Sequence, residues 1–413
     1  MNITYLDHKI EWMSNILFIG LAVIGISIIS LCLATNWLRL DNNPEFSPLQ
    51  IGGGLIGFSF IIASFGLGFK LRQIQLGLRL GHFQVTAIWF INTVVSFIAI
   101  STIFGVPLNN SLSYLLYISL YVIIPGIIVY TLFIDKPRTI LTTLLHGWVF
   151  GQLLEICIYF LLIILGLSRF FVGYPLVIAG IVVWQRKKIF SHLNHPLPGP
   201  DKTQLAALWI VSLILIFLGA LAQFGPQIDP HFTWVAAFAS AVMSGDWPFD
   251  EPFLLNIPLN YHYLFNIHIA AANQISVVPL ELLSSRLSIV IHLFLFIALV
   301  FNFTYEKVKS GWIGLLAMTQ LFAVYGQSAI MWQYFHFATA QVTMRLPSAL
   351  VSFEILIVLI YEMTELLETP KLDKKQFAFV AIIIVISSGI RGHFLPVLGS
   401  ALVVLSFSRL ADI

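Results

Sequence analysis

The stretch QIDPHFTWVAAFASAVMSGDWPFDEPF, residues 227–253, holds four acidic residues, Asp229, Asp246, Asp250 and Glu251, and neither Lys nor Arg. Carboxylates in such a setting can take a proton from a hydroxyl or share a divalent cation with a phosphate. Their spacing keeps them apart. Asp229 precedes Pro230, fourteen residues without charge or helix breaker follow, and Gly245 comes shortly before Asp246. That is the grammar of a helix, with Asp229 as N-cap, Pro230 at the first position and Gly245 past the end. Such a helix is roughly 22 Å long, so Asp229 and Asp246 do not share a site and an acid and base pair built from them is disfavoured. Asp229 therefore reads as a cap or as a base, and Asp246 as a turn residue beside Trp247 and Pro248.

Three histidines accompany the acids: His231, His262 and His268. The six-residue spacing of His262 and His268 does not put both rings on one helical face, and no HExxH pattern occurs. No metal or other cofactor is required by the sequence. A divalent ion held mostly by substrate phosphate stays open, because it would leave little trace. Arg391 and His393 interrupt the apolar run 377–408 in GIRGHF, and Glu155 and His146 lie nine residues apart inside another apolar run, on one side of a helix. Ionisable groups at such depth face a bundle interior or a pathway.

The elements that must position these residues are membrane helices. The chain has 413 residues, 59% hydrophobic and 10% charged, and its mean hydropathy of +0.93 lies far outside the soluble range. The net charge of +2 and the lack of a basic stripe interleaved with aromatics exclude a nucleic-acid partner. Cys32 and Cys157 fall in apolar stretches and read as small hydrophobes. The expected fold is all-α, a polytopic bundle of about 11 to 12 membrane helices with an external loop carrying interfacial helices. Spans are placed at 13–38, 48–69, 85–105, 111–134, 140–166, 168–184, 203–224, 284–303, 311–330 and 346–361. The run 377–408 fits two half-helices meeting at Arg391. The run 13–38 reads as a first span, not a cleaved leader.

Orientation follows from Lys and Arg. Fifteen of them, in KLRQIQLGLR, DKPR, QRKK with Lys202, EKVK, KLDKK and at Lys9, fall on one side. By the positive-inside rule this places the N-terminus in the cytoplasm and the loop 225–283 outside, in a multi-pass protein of the cell membrane. The same rule makes 261–279 a helix lying at or dipping into the outer interface.

The order of these features resembles the GT-C integral-membrane glycosyltransferases that use polyprenyl-phosphate-linked sugars, in the branch of protein O-mannosyltransferases and aminoarabinose transferases. The resemblance rests on QIDPHF, HFTWVAAFASAVMS, GDWPF, IPLNYHYLF and SSRLSIVIHLFLF in that order, followed by KSGWIGLLAMTQLF, and covers about 180 residues from 225 onward. It implies an N-terminal transmembrane bundle, 1–202, and a GT-C-like module, 203–413. Asp229 then matches the family's acidic base or metal-associated carboxylate, and Arg391 a basic residue that meets the donor phosphate. His262 and Asn260 orient donor or acceptor, with His231, Asp246 and His393 as further substrate contacts.

The implied partners are a polyprenyl-phosphate sugar and membrane lipid. Departures are visible: seven spans precede the motif, NYHY stands where the family has a His-Lys-Pro-Pro stretch, and the chain stops at Ile413 just after a helix. These fit an incomplete C-terminus or a divergent member with an added N-terminal bundle. Two alternatives accompany this reading. One is a transporter, which would depend on Glu155 and His146; the other is a catalytically silent protein that binds lipid-linked sugars.

Overall fold

The structure is a computed structural model, and it describes residues 82–194, 197–223, 230–245, 249, 264–323, 347–368, 373–388, 399–401 and 403. Among the described residues every extended element is a helix, and the one β contact is an isolated bridge between Thr139 and Leu197. In chain order the helices are α1 His82–Ile103, α2 Leu108–Phe133, α3 Ile140–Ile164, α4 Tyr174–Asn194, α5 Lys202–Gln223 and α6 Pro230–Ser244. There follow α7 Leu264–Ser276, α8 Leu280–Val308, α9 Gly311–Ala323, α10 Pro347–Glu368 and α11 Lys374–Ser388. Five of the described helices are long and apolar enough to cross a membrane: most of α1, α2, α3, the stretch 168–189 that includes α4, and α8.

The chain divides into two compact units, one of residues 1–92 with 201–227 and one of 93–200 with 228–413. In the first, α5 opens on a reciprocal cap. Asp201 Oδ1 accepts from the Gln204 amide at 2.8 Å, and Gln204 Oε1 accepts from the Asp201 amide at 3.1 Å, satisfying two amides that the helix start leaves without partners.

The second unit is organised on α3. Thr139 caps its start by accepting from the Thr142 amide, and Gly166, at φ +68°, turns the chain after its end. Gly126 on α2 faces Gly147 and Gly151 on α3. A Cβ at Gly126 or Gly151 would collide with backbone of the facing helix. Small residues let two membrane helices approach backbone to backbone.

Within α2, Pro125 has no N–H to give the Tyr121 carbonyl one turn back. The helix widens there into a π turn, Ile118–Ile123, in which the Ile124 amide bonds to Ser119 O, five residues back. A second π turn, Leu283–Leu287, lies in α8. Such turns re-aim the side chains beside them.

Helix α6 runs from Pro230 to Ser244 with Gly245 at φ +81°, matching the helix written in the sequence. Helix α7 has 13 residues, about 20 Å, and does not reach across hydrocarbon. Its residues 265–272 are all buried, so protein surrounds both its faces there.

Candidate functional site

Most of the residues singled out for chemistry, Asp229, Asp246, Asn260, His262, Arg391 and His393, lie outside the described residues. The backbone of His231 is in the first turn of α6. Glu155 and His146, in contrast, are placed fully, and each anchors a polar cluster inside the second unit.

Glu155 has no exposed surface. Tyr117, at the edge of the α2 π turn, donates to Glu155 Oε1 at 2.7 Å, and His268 Nδ1 on α7 lies 2.8 Å from Oε2. His268 Nε2 is 3.5 Å from the Tyr114 hydroxyl. The His268 ring stands 6.1 Å from that of His292 on α8. His292 Nδ1 meets both oxygens of Glu354 on α10, at 3.0 and 3.2 Å, and its Nε2 faces Gln152 Nε2 at 3.3 Å. Glu155, His268, His292 and Glu354 thus form a quartet drawn from four helices, each side chain no more than 1% exposed. Gln152 and Glu155, three residues apart on α3, reach its two halves.

His146 lies toward the other end of α3. Its Nδ1 is 2.9 Å from Glu362 Oε1, to which Tyr130 also donates at 2.8 Å. Glu362 Oε2 accepts from Gln376 at 2.8 Å and pairs with Arg138 at 3.4 Å. Arg138 further donates to Glu365 at 2.6 Å and to the Tyr361 hydroxyl at 3.2 Å, and Lys307 pairs with Glu365 and Glu368. Beside it, Thr139 and Thr142 donate to Glu306, which also takes Lys309 at 2.7 Å. At the edge of this region Asp135 accepts from Lys188 and Lys375, at 2.7 and 2.8 Å. Those hydrogen bonds hold its carboxyl below the usual carboxylate range.

Sequence reasoning put Glu155 and His146 on one side of one helix. The structure keeps both buried and gives each its own cluster. It adds His292, Glu354 and Glu362, which the sequence reading passed over. Their signal was visible: a histidine inside SIVIHLFLF and a glutamate inside SFEILIVLI are ionisable groups in apolar runs. His268 was weighed as a metal ligand and as a polar residue of an interfacial helix. Among the described residues no three His, Cys, Asp or Glu side chains converge as metal ligands. Compared with known proteins, the chain matches no family model, no curated protein and no solved structure.

Proposed function

We propose that this protein is a membrane glycosyltransferase that moves a sugar from a polyprenyl-phosphate donor to an acceptor outside the membrane. One observation carries the reading. Between α5 and α8 the described chain offers only two helices, of 15 and 13 residues, each too short to cross about 30 Å of hydrocarbon. That supports reading 225–283 as a one-sided loop of the GT-C kind, whose motifs stand in the order of that family. The full reading has 11 to 12 membrane helices, the N-terminus in the cytoplasm and the loop 225–283 outside, with α7 dipping from it into the bundle.

In this reaction the bond from sugar C1 to the phosphate oxygen breaks as the acceptor oxygen bonds C1 from the opposite face. Asp229 takes the acceptor proton. Arg391 meets the departing phosphate, whose geometry a guanidinium matches with two parallel hydrogen bonds. His262 and Asn260 orient the reactants, and His231, Asp246 and His393 flank them. Turnover of a polyprenyl-phosphate sugar by the full chain in lipid tests this, wild type against Asp229→Asn, which keeps the cap and removes the base. Loss of turnover with donor binding retained is the expected result. Binding without turnover in the wild type identifies a silent lipid-sugar binder.

A second reading, transport, is favoured by the buried His and Glu pairs along α3. Absence of both binding and turnover across several donors, with transport lost on Glu155→Gln or His146→Gln, would replace the first reading by this one.

A further inference from the structure

Among the described residues the quartet of Glu155, His268, His292 and Glu354 has no fixed cation to balance it. Among the described residues neither carboxylate pairs with Lys or Arg, and their ionic partners are His268 and His292. Tyr114, Tyr117, Tyr159, Tyr174 and Cys157 also lie within electrostatic reach of Glu155, and phenols and thiols are uncharged near neutral pH. With both carboxylates ionised and both imidazoles neutral, the quartet would hold two negative charges in a dry interior. Uncompensated charge there costs several kcal/mol per ion. Two added protons, on imidazole or carboxylate, bring it to zero.

The second nitrogen of each imidazole has a partner suited to either protonation state. The Tyr114 hydroxyl near His268 Nε2 can donate to a bare nitrogen or accept from an N–H. Gln152 does the same for His292 by turning its amide, offering NH2 in one state and oxygen in the other. A contact that serves only to join helices needs one of these states. Both imidazoles are furnished for two.

One turn beyond Glu155, Tyr159 donates at 2.6 Å to the partly exposed Gln274 on α7. Toward His146, about 9 Å of α3 separates Gln152 from the other cluster, and no hydrogen bond between the two clusters is seen among the described residues. We infer that the quartet is a proton-binding site in the membrane core, holding two protons beyond neutral imidazoles and ionised carboxylates and exchanging them on the α7 side.

The test is a count. Full-length protein with ¹⁵N-histidine and ¹³C-carboxyl glutamate, in lipid bilayers, is read by solid-state NMR for imidazolium and protonated carboxyl groups. The wild type is expected to show two added protons in the quartet at neutral pH, exchanging with deuterium and decreasing under strongly alkaline conditions. Glu155→Gln and Glu354→Gln each lower the count to one, and Glu368→Gln, at an exposed position, leaves it at two.

A count of zero overturns the inference, as do protons that neither exchange nor respond to pH. So does a carboxylate pair that stays ionised and shifts with sodium in place of choline, which marks a metal-cation site. The wild-type count decides the matter even if a variant does not fold.

Discussion

Glu155 and Glu362 are both fully buried carboxylates that take a hydrogen bond from an α2 tyrosine and pair with a histidine. The parts are exchanged between helices: α3 supplies the glutamate in one cluster and the histidine in the other. Their surroundings differ in one respect. Arg138, with Lys307 behind it, gives the Glu362 cluster permanent positive charge, whereas no Lys or Arg among the described residues pairs with the Glu155 quartet. On the proton-binding inference above, the same Tyr, Glu and His triad is a fixed lock where a guanidinium stands beside it and a proton-responsive group where none does.

The largest effect is expected where the fixed cation is removed. Arg138→Gln leaves Glu362 buried with too little compensation and should cost about 3–5 kcal/mol, read by thermal unfolding in detergent, with Arg138→Lys recovering part of it. Next comes Gly151→Ala, whose new methyl meets the Val122 carbonyl and should cost about 1–3 kcal/mol. It should also pull Tyr117 off Glu155, visible as a change in the Glu155 carboxyl signal.

Glu354→Gln should be milder than Arg138→Gln, below about 1.5 kcal/mol, because an amide mimics a protonated carboxyl. A cost equal to that of Arg138→Gln would mean that Glu354 is an obligate anion and would erase the contrast. The smallest effect belongs to Asp135. Its lowered folded-state value means that its contribution is present above the unfolded value near 4 and fades as pH falls toward the folded one. Being 43% exposed and screened, the group should contribute about 0.5 kcal/mol or less. Comparing Asp135→Asn with wild type on both sides of that window measures it.

Much of the helical framework was legible in the chain. Length and hydropathy placed α1, α2, α3 and α5 and the cores of α8 and α10 within a few residues, because apolar runs of crossing length stand out; α4 was read as 168–184 and runs on to Asn194, because its last turns carry the charges of QRKK. Pro230 and Gly245 bounded α6, since each acts through its own backbone. Helix α7 was read within 261–279 as a helix at or dipping into the outer interface, but its burial on both faces was not legible, because His268 looks interfacial until Glu155 supplies a buried partner. The polar clusters were half legible. Glu155 and His146 stand out in their own helix, while their partners lie 113 and 216 residues away, and no local pattern pairs residues at that range. The loop residues of the glycosyltransferase reading rest on motif order alone.

The π turn before Pro125 has a hereditary consequence. A widened turn contains one residue more than an α-helix needs, so loss of a single codon between 118 and 123 would restore plain α geometry. Because the turn holds its extra residue as a bulge, the flanking segments 108–117 and 124–133 would keep their facing, with Tyr117 on Glu155 and Tyr130 on Glu362. The π turn is therefore a place where this helix can change its length by one residue in a lineage without changing which side chains meet α3.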